Sequence, residues 1–371
     1  MHFFYVKHYT CYNIHSLGGF MVKDLCFEIL NKCPNKCMFC SSNSCMNRNT
    51  FISLDDFKRV IDYFVSTGGI EELSLSGGEP LLHPNLLEMI SYASKLGIKV
   101  TLFTSGIQFA NKLRDGEIAY FLKEKEAALK SIDPDDTFTI NSVKKYYDNI
   151  LKDKTYSGIP KQKIIELKNA GLSKIVFDIQ AYEYETDEIL MGRKESMRVC
   201  LLDSLFNATF LGMDVDVHFI PNKLNYKEIL DLLELIEIVK VPNISLLNFV
   251  PQGRGKENAS SLALSKEEKE EFFSLLEQAK KVYSGNIRIG IPLSDEQTHA
   301  CTAGLQKIDI KYDGTILPCP AFKELSDEEY QKYGIKHYNI YENLDDFHIS
   351  GVGTRAYPLC KKVYGDGYGK N

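Results

Sequence analysis

The sequence has no tryptophan, and it lacks three features that would each define a class of protein. No apolar run reaches the roughly 20 residues of a membrane-spanning helix, so no membrane span is predicted. Residues 1–20 have no apolar signal-peptide core, and the two absences together predict a cytoplasmic protein. Lys and Arg form no block and the net charge is −6, which argues against a nucleic-acid partner.

In most respects the composition is that of an ordinary globular protein. Apolar residues make up 44% of the 371 residues and charged residues 25%. This length allows one large α/β barrel and a smaller appended unit. The exception is the ten cysteines, five of which lie between residues 26 and 45. In a cytosolic chain, such clustering indicates metal or redox chemistry rather than disulfide bonds.

Short apolar runs alternate with amphipathic helical patterns over residues 23–284, after an N-terminal extension of residues 1–22. This alternation is typical of repeated βα units. Six repeats predict a partial parallel barrel, (β/α)6, in the α/β class. The predicted strands are residues 23–30, 71–76, 98–103, 173–179, 213–220 and 243–250.

Two segments depart from the repeat. Residues 109–159 interrupt it, and they are predicted to form two helical pieces around Asp133–Pro134. A plain loop of that length would be too long for a compact domain, so the insertion is either a solvated decoration or a substrate-docking arm. The repeat stops near residue 285, and residues 285–371 are predicted to form a small α+β domain. Its hairpin covers residues 306–318, with Asp313–Gly314 as the turn.

A CxxxCxxC motif, formed by Cys33, Cys37 and Cys40, follows the first predicted strand. Loops after the carboxyl ends of parallel barrel strands carry the chemistry of such folds, so the location suits an active site. Thiolates are the ligands of iron–sulfur clusters, and three closely spaced cysteines leave one iron open to another ligand. The alternative is a zinc site with Cys45 as fourth ligand, although zinc sites more often show paired CxxC spacing.

With Phe39 inside it, this motif resembles the signature of the radical S-adenosylmethionine (SAM) superfamily. Gly77-Gly78-Glu79, at the end of the second strand, resembles the family's GGEP stretch, which lies against the methionine amino group of SAM. Glycines permit close backbone approach, and a carboxylate accepts hydrogen bonds from an ammonium group. The resemblance covers roughly residues 23–255, and it implies a 4Fe–4S cluster on the three cysteines with SAM bound beside it.

Further SAM-binding residues follow only from the resemblance. Thr104 and Ser105 end the third strand, where the family often has a SAM-contacting turn. Asp178 ends the fourth strand, where the family places a residue near the ribose or carboxylate. Arg193 resembles the arginine that pairs with the methionine carboxylate, a role that its bidentate guanidinium suits. Val250 ends the sixth strand, where such enzymes hold the adenine by backbone contacts.

A second group of cysteines resembles half of the auxiliary-cluster motif in SPASM and twitch C-terminal domains. It consists of Cys301, Cys319 and, after a gap, Cys360, and Gly314 lies between the first two. The resemblance implies a second 4Fe–4S cluster on these three cysteines. The further cysteines of a full SPASM domain are absent, so either another residue completes the ligand set or one iron is open to substrate. The alternative is that these are scattered core cysteines.

The resemblance implies an enzyme that reductively cleaves SAM to a 5′-deoxyadenosyl radical, which abstracts hydrogen from the substrate. A flavodoxin- or ferredoxin-type protein is the implied electron donor. SPASM and twitch enzymes act on ribosomal peptides and on small molecules, and the preferred interpretation is a peptide-modifying (RiPP) maturase. The alternatives are a small-molecule dehydrogenase or cyclase, and a non-catalytic zinc- or cluster-binding scaffold.

Overall fold

In the computed structural model, the described residues form one ten-stranded sheet and one two-stranded ribbon. Within its described residues, no helix is both long and apolar enough to cross a membrane. The described residues are 22–108, 111–289, 303–304, 306–332 and 336–347.

The first βα units form as the sequence predicts, with bounds that differ by one or two residues. Ser53 starts the first helix because its hydroxyl accepts a hydrogen bond from the backbone N–H of Asp56. The elements are β1 (Val22–Leu30), α1 (Leu54–Thr67), β2 (Ile70–Gly77), α2 (Leu86–Lys95) and β3 (Lys99–Thr104).

The insertion is a helical hairpin whose base is closed by the two-stranded ribbon. Its base is anchored where the hydroxyl of Tyr156 donates a hydrogen bond to Asp203 on a later helix. The predicted pair of helical pieces around Asp133–Pro134 is confirmed. The elements are β4 (Asn111–Lys112), α3 (Asp115–Ser131), α4 (Thr137–Asp153) and β5 (Thr155–Tyr156).

The remaining predicted repeats complete six parallel strands in the order β1-β2-β3-β6-β7-β8. The predicted partial α/β barrel is therefore confirmed. The elements are α5 (Lys161–Asn169), β6 (Leu172–Asp178), α6 (Tyr184–Met191), α7 (Glu195–Phe210), β7 (Asp214–Phe219), α8 (Ile229–Ile238) and β8 (Asn243–Leu246).

A seventh parallel strand, β9 (Asn286–Ile289), continues the sheet past residue 284 and pairs with β8. The sequence did not predict it, because four residues with two polar side chains give too short a pattern to identify a strand. The chain reaches it through α9 (Arg254–Glu257), α10 (Ala259–Leu262) and α11 (Lys266–Ala279).

The predicted hairpin is confirmed, and it joins the other side of the same sheet. Its strands β10 (Lys307–Ile310) and β11 (Thr315–Leu317) are antiparallel, and Gly314 turns between them with a φ of +86°. β10 pairs in parallel with β1. Beyond β11, α12 (Asp327–Lys332) leads to β12 (Tyr338–Asn339), the last strand of the sheet.

The two faces of the sheet differ in polarity, because successive side chains of a strand point to opposite faces. On the outer face, Phe27 stacks on Phe57 of α1 with ring centroids 5.6 Å apart. On the inner face, which we call the lumen, β1 places Cys26 and Glu28, and β10 places Asp309 directly beside Cys26. The lumen is therefore lined by polar side chains at this wall.

Candidate active site

The loop after β1 brings three thiols to the carboxyl end of the sheet. Cys33 is buried, Cys37 and Cys40 are half-buried, and none of them forms a disulfide. Burial raises the pKa of both Cys33 and Cys37, and neighbouring thiols of the motif raise them further. No group of three or more His, Cys, Asp or Glu side chains in the described ranges converges as a single metal ion would require.

Glycines hold the backbone of this cysteine loop against its neighbours. A Cβ at Gly77 or Gly78 would lie 2.3 or 2.1 Å from a backbone carbonyl oxygen at the end of β1 or just after it. A Cβ at Gly253 would lie 2.5 Å from the carbonyl oxygen of Cys40. Only glycine permits such approach, so tight packing on the loop accounts for the two glycines at the end of β2.

Hydrogen bonds from distant segments fix the same loop. The backbone N–H of Met38 donates to the carbonyl oxygen of Leu190 at 2.8 Å. The Nε of Arg254 donates to the carbonyl oxygen of Cys37 at 2.9 Å. Arg254 was not among the predicted site residues, because its contact depends on how the segment after β8 folds back. The thiols are thus positioned by β2, by α6 and by this segment.

Asn35 lies between the first two cysteines of the motif and is 1% exposed. Neither atom of its side-chain amide has a hydrogen-bond partner among the described residues, and its backbone N–H faces the Cys33 sulfur. A buried amide without partners is costly, so it indicates a partner that the described residues do not supply. Three thiols and a buried donor suit an iron–sulfur cluster, whose thiolates stand farther apart than those around one zinc ion.

Glu79 is fully buried and ties the end of β2 to the end of β3. One carboxylate oxygen accepts from the Thr104 hydroxyl at 2.7 Å. The other accepts from the backbone N–H of Ser105 at 2.9 Å and from its hydroxyl at 2.6 Å. Burial raises the pKa of Glu79 to about 7, against the effect of these hydrogen bonds. Three predicted site residues are therefore brought together.

Arg193 is 1% exposed, and most of its guanidinium is already paired inside the protein. Its Nε and Nη2 donate to the two carboxylate oxygens of Asp187 at 2.5 and 2.6 Å. Its Nη1 lies 3.5 Å from the carbonyl oxygen of Ser105. Asp187 could not be predicted as its partner, because a carboxylate on an amphipathic helix is most often solvated. The guanidinium nitrogens that were expected to bind a SAM carboxylate thus bind Asp187 instead. Nη1 remains for a contact with a ligand.

Asp178, at the end of β6, lies half-buried near Arg193 and Cys37. Burial raises the pKa of Asp178 to about 6, while Arg193 and the amide of Gln180, 3.1 Å away, lower it. Because the side chain is still partly accessible, it can accept hydrogen bonds from a ligand's hydroxyl or ammonium group.

Phe39 of the cysteine loop packs against the segment after β8, and Val250 belongs to that segment. Phe39 is buried in a small apolar cluster with Met191 and Phe249. Val250, the next residue after Phe249, is half-buried. The structure thus gives Phe39 a packing role in holding the loop.

Of the three predicted auxiliary ligands, only Cys319 lies within the described residues, and Cys301 and Cys360 lie outside them. Cys319 follows β11 and is half-buried. Five residues later, a carboxylate oxygen of Glu324 accepts from the backbone N–H of Gly253 at 2.6 Å. The segment after Cys319 therefore contacts the segment that packs on the cysteine loop.

Known proteins resemble this chain in sequence. The sequence model of the radical SAM superfamily matches residues 27–152. PqqA peptide cyclase of Bradyrhizobium diazoefficiens is 20% identical over 343 residues, which cover 90% of this chain and 76% of that protein. Fe-coproporphyrin III synthase of Methanosarcina barkeri is 22% identical over 258 residues, which cover 69% of this chain and 51% of that protein.

Solved structures resemble it in fold. Streptococcus suis SuiB bound to precursor peptide SuiA superposes with a TM-score of 0.61 at 16% identity, covering 91% of this chain and 67% of SuiB. Native anSMEcpe with bound AdoMet superposes with a TM-score of 0.56 at 13% identity, covering 92% of this chain and 83% of that one. At such identities, the likeness establishes the shared α/β partial-barrel fold.

The fold and the cysteine loop define an iron–sulfur enzyme built on a partial α/β barrel. The matching sequence model spans both the cysteine motif and the stretch Gly77-Gly78-Glu79, so residues 27–152 carry a radical SAM domain and the chain is an enzyme. Enzymes of this superfamily bind a 4Fe–4S cluster and SAM, and these are its cofactors.

Proposed function

We propose that this enzyme is a maturase that modifies a ribosomally made peptide. The observation that carries the proposal is the extent of the likeness to peptide-acting proteins. The alignment with PqqA peptide cyclase spans 90% of this chain, whereas that with Fe-coproporphyrin III synthase spans 69%. The fold likeness to SuiB, a protein solved with a precursor peptide, extends over 91% of this chain.

In this proposal, Cys33, Cys37 and Cys40 hold the first cluster, and the buried amide of Asn35 donates a hydrogen bond to it. When bound, the cluster and SAM supply a 5′-deoxyadenosyl radical that takes hydrogen from the substrate. The electron comes from a flavodoxin- or ferredoxin-type protein. A donor of such low potential works in a reducing compartment, which favours the cytoplasm.

The SAM site is proposed to lie between the ends of β3 and β6. Asp178 and the Nη1 edge of Arg193 would bind the amino-acid end of SAM, with the Ser105 carbonyl beside them. Glu79 acts here as a positioning residue, because both its oxygens are used to hold Thr104 and Ser105. The segment at Val250 would lie against the adenine, as the sequence predicted.

The peptide substrate is testable with candidates from the genome. Reconstituted enzyme, SAM and dithionite are incubated with peptides translated from short open reading frames beside the gene. We expect one peptide to be converted, either to a product lighter by two hydrogen atoms or, in D2O, to one that gains deuterium. Cys37→Ala protein is the control and should leave every peptide unchanged. Conversion of a small molecule, with every peptide unmodified, would contradict the proposal.

The second cluster is proposed to be held by Cys301, Cys319 and Cys360. Wild-type protein should then contain about eight iron atoms per chain, the sum of two 4Fe–4S clusters. Cys319→Ala should lower this to about four and keep the SAM-dependent change in the electron paramagnetic resonance (EPR) signal of the first cluster. Cys200→Ala is the matched control, because Cys200 is buried against the base of the insertion and should not affect iron content. A wild-type content of about four would rule out the second cluster.

A further inference from the structure

Asp309 is a carboxylate buried in the lumen without an adequate partner. It is 0% exposed, and neither of its oxygens has a nitrogen or oxygen donor within the described residues. Its neighbour in the parallel pairing of β10 with β1 is Cys26, whose thiol is only a weak donor. Burial raises the pKa of Asp309, although Lys323 opposes this. Burying a carboxylate without a hydrogen-bonding partner costs a great deal of free energy, so the presence of Asp309 indicates that it binds a ligand.

The surroundings of Asp309 hold more negative than positive charge. Lys323 lies in the lumen and forms an ion pair with Glu28, and both side chains are almost fully buried. Lys323 also acts electrostatically on Asp309, so one ammonium group serves two carboxylates. The second oxygen of Glu28, Oε2, has no hydrogen-bond partner among the described residues. Among the described residues, one negative charge and three carboxylate oxygens are thus left without a donor.

Other lysines of the lumen are not placed to supply that donor. Lys307 is 2.7 Å from a carboxylate oxygen of Asp24, and Lys174 is 3.1 Å from one of Asp216. Each of these ammonium groups already neutralises a carboxylate of its own.

The same network reaches the cysteine loop. The hydroxyl of Ser42, two residues after Cys40, donates to Glu28 at 2.9 Å, and Lys323 lies 3.1 Å from that hydroxyl. A group bound by these carboxylates would therefore lie on the lumen wall that carries the loop, on the substrate side of the sheet.

We propose that Asp309 and Glu28 form a subsite for a positively charged side chain of the substrate, the ammonium of a lysine or the guanidinium of an arginine. This inference rests on the proposed peptide substrate. Such a group supplies both the missing positive charge and several N–H donors, which two carboxylates with unused oxygens require.

Binding to a peptide library tests the subsite without turnover. The holoenzyme is immobilised under anaerobic conditions and exposed to a random-sequence dodecapeptide library, and the bound pool is sequenced. We expect lysine and arginine to be enriched over the input. A selected peptide should bind Asp309→Asn protein at least about 30-fold more weakly, and its norleucine analogue should lose as much on the wild type. The two losses should not add, because they remove the same contact.

Asp216→Asn is the matched control, since it removes a lumen carboxylate and leaves the ammonium of Lys174 paired with Asp214. It should leave the enrichment and the affinities unchanged. Selected peptides that bind wild type and Asp309→Asn equally would overturn the subsite and leave the peptide substrate standing. A wild type that retains no peptide would contradict both. Loss of iron in Asp309→Asn would make Asp309 a cluster ligand and overturn the proposal as well.

Thermal unfolding separates a binding role from a structural one. Asp309→Asn should keep or raise the unfolding midpoint, because it removes a buried charge that no described residue adequately pairs. Lys323→Met should lower the midpoint clearly, because it leaves Glu28 and Asp309 together without a cation. A lowered midpoint in Asp309→Asn would show that the carboxylate serves the fold, and it would overturn the subsite.

Discussion

Simultaneous replacement of Cys33, Cys37 and Cys40 by alanine is expected to abolish the formation of 5′-deoxyadenosine from SAM under dithionite. The three thiols are gathered on a loop that β2, α6 and the segment after β8 hold in place, so the folded protein remains while its ligands are lost. Liquid chromatography of the acid-quenched reaction measures the nucleoside, and about four iron atoms should remain on the second cluster.

Cys45→Ser is the control for this triple variant. Cys45 lies in the same loop and supplies only its backbone carbonyl oxygen, which accepts from the N–H of Cys33 at 3.3 Å. Its side chain is needed in the zinc alternative but not in the cluster assignment. Full activity and iron content in Cys45→Ser therefore support three ligands, whereas unchanged nucleoside formation in the triple variant would sink the assignment.

Asp187→Asn is expected to destabilise the protein by about 3–5 kcal/mol, because it leaves the buried guanidinium of Arg193 without its counter-charge. The pair is bidentate and both side chains are essentially unexposed. Urea unfolding of the cluster-free protein under anaerobic conditions measures the change. The matched control is Arg114→Gln, which breaks an ion pair with Glu117 at an exposed position and should change stability little.

A double variant, Arg193→Met with Asp187→Leu, separates the two roles of this pair. It removes both charges together, so most of the stability should return. SAM binding, measured by equilibrium dialysis, should still be lost if the Nη1 edge of Arg193 meets the SAM carboxylate. If Asp187→Asn costs less than about 1 kcal/mol, water reaches the pair and the buried-charge argument fails.

What could be read from the sequence was set by local patterns. The cysteine spacing, the glycines at the end of β2 and the Asp313–Gly314 turn each act within a few residues, and the structure places them at the expected points of the fold. The pairing of side chains could not be read in this way. Glu79 accepts hydrogen bonds from Thr104 and Ser105 because the ends of β2 and β3 lie side by side. Arg193 pairs with Asp187 because the chain after α6 folds back onto that helix.

The burial of polar side chains could not be predicted from the sequence either. Asn35 lies between two cysteines of the motif and was not predicted to be a site residue, because an asparagine in a loop is ordinarily solvated. Asp309 alternates with isoleucines in β10, which reads as a half-exposed strand with its polar face in water. Instead the curvature of the sheet turns that face into an enclosed lumen, a property of the whole barrel and not of any segment.

The pairing of β10 with β1 makes the C-terminal hairpin a protective cover for the strand that precedes the cysteine loop. If a shortened chain lacked the hairpin, β1 would present unpaired backbone groups along Asp24–Phe27, and these would recruit strands from other molecules. A descendant of this fold that lost the proposed auxiliary cysteines would therefore still be under pressure to keep β10, since the hairpin shields β1 from aggregation whether or not it holds iron.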